Sequence, residues 1–202
     1  MKQEFLQIFP CPTIKIDSEK EFKNIQEKLI EYIYEQKNND PTGLVRSNVN
    51  GWHSQDNLQK REDFKIFLNF ILECISKSCS LYFSEGTDII IGNCWANINP
   101  PKTMNDWHQH PGCDMSGCLW IKCPNNCGSL VFRNPFDFDH YSWIRTLNHD
   151  TKEKYKLSHN YYFSPDEGSI VLFPSNIYHK VLPNNSEEDR ISIAFNIKLY
   201  EK

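Results

Sequence analysis

The sequence predicts a mainly β fold, two packed sheets with helices laid against one side, and three observations predict it. Apolar residues recur at helical spacing in two blocks before residue 86, and at a spacing of two through most of the chain beyond it. Clusters of Pro, Gly, Asn and Asp then interrupt the chain at short intervals. The 202 residues, 39% hydrophobic and 24% charged, have the size and composition of one soluble globular domain. We read residues 1–202 as that one domain, with 1–86 a strand plus helical support and 87–200 the β core.

Each element follows from its local pattern. Phe9-Pro10-Cys11-Pro12-Thr13-Ile14-Lys15-Ile16 alternates near its end and reads as a first strand. Ser18-Glu19-Lys20-Glu21 has the form of a capping box, and Phe22, Ile25, Leu29 and Ile33 carry a helix to about Gln36. Arg46 to Ser54 is polar and without period, which predicts a loop containing His53. Phe64, Phe67, Leu68, Ile71, Ile75 and Cys79 mark a second helix, from about Gln59 to Ser84. Ile89 to Asn99 reads as a long strand stopped by Pro100-Pro101. Gly117–Cys123 and Ser129–Phe132 read as a hairpin about the Asn125-Asn126 turn. Asn134 to Asn160 is irregular and aromatic (Phe136, Phe138, Tyr141, Trp143). That predicts either a lid or binding loop, or a surface excursion with a short helix near Thr151–Lys156. Tyr161–Pro165, the apolar run Gly168–Pro174 and Arg190–Ile197 are the closing strands.

Composition narrows the function. A net charge of -4 gives no reason to expect a nucleic-acid partner. No apolar run approaches the roughly 20 residues that span a membrane. The N-terminus lacks the apolar stretch of a signal peptide, so a cytoplasmic place is expected, the host cytoplasm if the source is viral. Oligomeric state leaves no mark in the sequence. Cys113, Cys118, Cys123 and Cys127 have four, four and three residues between them, which fits no zinc-knuckle spacing. They read as reduced structural thiols.

The chemistry gathers around Trp107-His108-Gln109-His110-Pro111. Side chains two apart on an extended segment point to one face, so the two imidazoles can converge on a metal ion. His179 follows a strand end. Arg190 opens the last strand with Ser192 on the same face, a guanidinium fork and a hydroxyl suited to a carboxylate. A non-haem Fe(II) oxygenase needs such a set, with metal positions left open for a keto acid and O₂.

Taken in order, these pieces resemble the 2-oxoglutarate/Fe(II)-dependent dioxygenase superfamily, and within it the 2OG-Fe(II) oxygenases common in bacteria and cyanophages. The shared pieces include Ser47-Asn48, Gly51-Trp52, Trp95-x-Asn97, His108-x-His110-Pro111 and Ser116-Gly117. They continue through Gly128 to Phe132, Phe173-Pro174-Ser175, His179 and Arg190-Ile191-Ser192 to Asn196. The resemblance implies a double-stranded β-helix (jelly roll) with two N-terminal helices. It implies Fe(II) on His108, His110 and His179, and 2-oxoglutarate held by Arg190 and Ser192 with Asn97 beside it. O₂ and an organic substrate, a prolyl or other peptide residue or a small molecule, would then be hydroxylated with release of succinate and CO₂. The superfamily pattern is His-x-Asp/Glu…His, and His110 stands here at the carboxylate position, with Asp106 and Asp114 as the nearest carboxylates. Three other readings stay open: a cupin-like metal enzyme without 2-oxoglutarate, a jelly-roll binding protein without turnover, and a zinc protein built on the cysteines.

Overall fold

The computed structural model describes residues 3–4, 11–136 and 143–201, with the side chain of residue 143 left out. In chain order come β1 (Ile14–Asp17), α1 (Glu19–Phe22), α2 (Gln26–Asn39), β2 (Asn48–Val49) and β3 (Trp52–His53). Two 3₁₀ turns at Leu58–Lys60 and Glu62–Phe64 lead into α3 (Lys65–Cys79). The strands β4 (Asp88–Asn99), β5 (Met104–His108), β6 (Met115–Lys122) and β7 (Leu130–Arg133) come next. A 3₁₀ turn at Trp143–Thr146 precedes α4 (His149–Tyr155), then β8 (Asn160–Phe163), β9 (Ser169–Pro174), β10 (His179–Val181) and β11 (Arg190–Tyr200).

The strands form two antiparallel sheets. The larger runs β1-β9-β6-β11-β4-β3 and the smaller β2-β5-β10-β7-β8. The larger sheet is built on β4 and β11, paired from Arg190↔Asn99 to Tyr200↔Asp88. Alternation divides their side chains between two faces. Cys94, Ala96, Ile98, Ile191, Ile193 and Phe195 are almost wholly buried in one cluster with Leu29, Ile33, Phe64, Ile71 and Ile75 of the helices. Burying each large apolar side chain there contributes roughly 1.5–3 kcal/mol. The opposite face carries Trp95, Asn97, Asn99, Arg190 and Ser192, which line a cavity between the sheets. A second apolar cluster of Trp120, Leu130, Phe132, Val171, Phe173 and Ile177 closes one side of that space.

Several local expectations give way to tertiary pairing. Ser18 makes no capping bond; its hydroxyl donates to the Gly168 carbonyl across the structure, 2.5 Å away. Asp17 Oδ1 instead accepts from the Glu19 amide at 3.1 Å, and the first helix stops after one turn before α2 begins. The loop expected at 46–54 contains β2 and β3 on either side of Asn50 (φ 59°) and Gly51. These strands do not pair with each other: β2 joins β5 and β3 joins β4, so the segment straps the two sheets together along one edge. Gly51 is needed there, since a Cβ would stand 2.8 Å from Asn99 Nδ2.

The hairpin expected across Asn125-Asn126 is also absent. Both sides of β6 are occupied, by β9 and β11, while β7 lies between β10 and β8 in the other sheet. The turn therefore carries the chain from one sheet to the other. The second helix is shorter than its apolar period, because 3₁₀ turns replace its start and it ends at Cys79. The short helix near Thr151 is present as α4, capped by Asn148 Oδ1 accepting from the Thr151 amide at 2.8 Å. In the expected lid, Phe136 is exposed and stands apart from the cavity wall, whereas Ile144 is buried. Phe9, Pro10, Phe138 and Tyr141 lie outside the described residues, as does the Trp143 side chain. Among the described residues no helix is long and apolar enough to cross a membrane.

Candidate metal centre

The smaller sheet sets the first two histidines by register. His179 opens β10 directly opposite His108 at the end of β5, a cross-strand pair whose side chains share a face. His110 lies two residues past His108, and its amide donates to the Ser175 carbonyl at 2.8 Å, which fixes the chain where β5 has ended. The three rings meet at the cavity with centroids 4.2–5.1 Å apart. One ligand atom from each lies within 4.8 Å of the others, the single group of this kind among the described residues.

Hydrogen bonds orient two of the rings. His108 Nδ1 is 2.6 Å from the Asp106 carbonyl, and His179 Nδ1 is 2.9 Å from the Ile177 carbonyl. A carbonyl only accepts, so each Nδ1 carries the proton and each Nε2 keeps its lone pair for a metal. Burial drives the histidines toward the neutral form a metal requires. His179, packed against Phe173 at 4.7 Å, is pulled down to about 3, with neighbouring His108 adding to the effect. His110 is lowered to about 4 by burial and then by His108. Burial lowers His108 too.

Arg190 lies deeper in the cavity and is fully buried. Its Nη1 donates to the Cys127 carbonyl and, at 3.0 Å, to the Leu182 carbonyl. Those bonds fix the guanidinium and leave its Nε and Nη2 without a partner among the described residues. Burial lowers its pKa to about 10. A buried guanidinium edge with two free donors is an anion site in want of an anion, and its geometry suits a carboxylate taken through two parallel bonds. Ser192 is the next inward residue on β11, opposite Asn97 on β4 and Trp120 on β6. Asn99 is opposite Arg190. Asn97 Oδ1, Asn99 Nδ2 and Trp120 Nε1 are likewise buried without a partner among the described residues. The residues present thus fit a metal ion at the histidines and a dicarboxylic acid reaching to the arginine, within a cavity of about 300 Å³.

The two flanking carboxylates stay out of the centre. Asp114 Oδ2 accepts from the Leu199 amide at 2.8 Å, and Asp106 Oδ1 from the Trp107 amide at 2.7 Å. Neither belongs to the metal-capable group. The four cysteines form no such group either, and all eight are free thiols. His53, at the end of β3, lines the cavity, its ring stacked on Trp95 at 5.4 Å with Trp95 in turn 5.6 Å from His110. Asn99, Trp95 and Trp120 were not singled out as site residues from the sequence. The alternation Asn93-x-Trp95-x-Asn97-x-Asn99, polar groups on one face of a core strand, was the available signal.

Residues 93–196, just over half of the chain, match the family model described as "Putative 2OG-Fe(II) oxygenase". No curated protein matches the sequence. Among solved structures, a Pseudomonas putida prolyl-4-hydroxylase is similar at 14% identity and TM-score 0.59, over 93% of this chain and 92% of that one. The α-ketoglutarate-dependent carbocyclase SnoK from nogalamycin biosynthesis is similar at 13% identity and TM-score 0.61, over 93% and 79%. A 2OG-Fe(II) oxygenase family oxidoreductase from Burkholderia pseudomallei is similar at 12% identity and TM-score 0.52, over 68% of this chain. The chain spans 57% of the length of that protein. At these identities the likeness is one of fold, and the two sheets are the double-stranded β-helix of these proteins.

Proposed function

The chain belongs to the 2OG-Fe(II) oxygenase family, and from that premise we propose that it holds Fe(II) on His108, His110 and His179 and uses 2-oxoglutarate and O₂ to hydroxylate a peptide or a small organic substrate. One observation carries the reading. Three imidazoles able to share an ion face the same cavity as a buried arginine whose Nε and Nη2 are free. When bound, Fe(II) supplies the redox chemistry with O₂ that couples decarboxylation of the keto acid to oxygen insertion into a C–H bond.

The chain's own residues bind, orient and shield. Arg190 takes the distal carboxylate with its fixed edge, and Ser192 offers a hydroxyl in the same row. Asn97, in register with Ser192, turns its unpartnered oxygen toward the co-substrate space. Phe173 and Trp120 keep the floor apolar, so water is excluded from the reacting end. Arg46 and Asp56, both exposed, border the mouth where substrate enters. The prolyl-4-hydroxylase and carbocyclase neighbours support the two substrate classes in view, a peptide residue and a small molecule.

The test is anaerobic reconstitution with Fe(II), followed by succinate measurement with 2-oxoglutarate and O₂. One iron per chain and succinate formed in step with 2-oxoglutarate loss are expected. His179→Ala should lose the iron. Full iron occupancy in that variant would remove the three-histidine assignment, and iron binding without any succinate, across peptide and small-molecule screens, would favour a binding protein.

A further inference from the structure

The cysteines gather no metal, but two of them stand together behind the arginine. After β6 the chain turns through Cys123-Pro124-Asn125-Asn126-Cys127 toward β7. The Cys127 amide closes the turn on the Pro124 carbonyl at 3.1 Å, with Asn126 in the left-handed region (φ 64°). The Asn185 amide clamps it from outside by donating to the Asn126 carbonyl at 3.0 Å. The turn brings its ends back together, and the thiols of Cys123 and Cys127 share a hydrogen bond. Cys127 is 4% exposed, and its carbonyl is one of the two that hold Nη1 of Arg190.

This arrangement separates the two thiols chemically. Cys123 donates to Cys127, and the Arg190 guanidinium is close enough to favour a negative sulfur, so Cys127 is held below the ordinary thiol range and Cys123 above it. Burial alone pushes Cys118 up to about 12, which leaves it protonated and inert. A thiolate with a second thiol in contact is the arrangement in which oxidation stops at a disulfide.

We propose that Cys123 and Cys127 are an oxidation site, a dithiol that hydrogen peroxide closes to a disulfide, and that closure weakens the hold of Arg190 on 2-oxoglutarate. The Cys127 thiolate attacks one peroxide oxygen; the O–O bond breaks, and hydroxide leaves and takes up a proton. The Cys123 sulfur, giving its proton to the departing oxygen, then displaces water from the resulting sulfenic acid as the S–S bond forms. Two thiols and one peroxide thus become one disulfide and two waters, with two electrons passing from sulfur to oxygen. The disulfide draws Cys127 toward Cys123, and its carbonyl moves off Nη1. An arginine with one anchor of two no longer presents its Nε–Nη2 edge steadily. This consequence rests on the proposed co-substrate role of Arg190, whereas the disulfide does not.

The iron-free full chain is treated with hydrogen peroxide under anaerobic conditions, its remaining thiols are blocked, and its peptides are mapped. 2-Oxoglutarate affinity is then measured with Mn(II) as an inert metal. A Cys123–Cys127 crosslink and at least fivefold weaker 2-oxoglutarate binding, restored by a thiol reductant, are expected. Cys123→Ser keeps the Cys127 carbonyl and should show neither crosslink nor weakened binding. Free or separately oxidised thiols at the two positions would overturn the site, and a crosslinked protein that binds as tightly as the reduced one, or more tightly, would overturn its effect. A reduced protein that binds no 2-oxoglutarate would count against the co-substrate role of Arg190, while the peptide map would still decide the thiol pair.

Discussion

His110 and His179 are neutral down to about 4 and 3 because burial has stripped their charged forms of water. A metal entering this site displaces no protons from them at pH 5.5, unlike a site of exposed imidazoles with ordinary values near 6.5. With His108 lowered by burial as well, Mn(II) affinity should fall by less than the roughly tenfold that one ordinary imidazole would cost between pH 7 and pH 5.5; a drop of a hundredfold would mean that the imidazoles titrate as solvated groups. At Arg190 the decisive property is shape. Arg190→Lys keeps the charge and loses the two-donor edge, so 2-oxoglutarate affinity should fall roughly tenfold or more, about 1.4 kcal/mol. Calorimetry on a variant of unchanged melting temperature checks it. His108, His110, His179 and Arg190 could be picked out in the sequence because strand period and strand ends place such residues. The anchors of Arg190 could not, because they are backbone carbonyls of Cys127 and Leu182, and a carbonyl has no letter of its own.

Among elements, the long strands were legible and the crossings were not. β4 and β11 alternate over eleven or twelve residues, and β9 is a continuous apolar run, so each declares itself locally. β2 and β3 are two residues each and draw their partners from distant segments, so no local pattern marks them. The same holds for the Asn125-Asn126 turn, whose flanking strands belong to different sheets. On β6, Gly117 lets β11 and β9 close in; an added Cβ would stand 2.3 Å from the Phe195 ring and 2.8 Å from Leu172. Gly117→Ala should cost about 1–3 kcal/mol in urea unfolding. An unchanged midpoint would show that the Phe195 ring can swing aside. At the start of α1, Ser18→Ala should cost about 1 kcal/mol through loss of the hydroxyl bond to the Gly168 carbonyl, which would keep only the amide of residue 18 at 3.2 Å. Restoring a cap residue elsewhere in α1 should not recover it.

For the molecule as a whole, buried neutral histidines make stability fall in acid. His179 and His53, both nearly inaccessible, have folded values lowered by burial, whereas in the unfolded chain they take ordinary values near 6.5. Below about 6.5 the unfolded chain binds protons that the folded one refuses, so stability declines as pH drops toward the folded values and is level above about 7. The slope approaches about 1.4 kcal/mol per pH unit each for His179 and His110, whose folded values are lowered to about 3 and about 4, and His53 and His108, lowered by burial too, add in the same direction. Urea midpoints of the metal-free protein should agree at pH 7.5 and 8.5 and drop clearly at pH 5.5. Equal midpoints at all three would show that these rings are solvated.

The strap from Asn48 to His53 has a further consequence, for how one molecule meets another. A sheet edge is a row of unpaired amides and carbonyls, and a long, flat one is an invitation to a neighbour's strand. Here β3 ends the larger sheet and β2 ends the smaller, each only two residues long and turned from one sheet to the other at Asn50-Gly51. The other two edges, β1 and β8, are four residues each, and on β1 the Lys15 ammonium is paired with Asp166 at 2.8 Å. The short straps cover only the ends of their neighbours, so among the described residues the outer edge of β4 from Asp88 to Ile91, beyond the reach of β3, is where strand-by-strand association would begin.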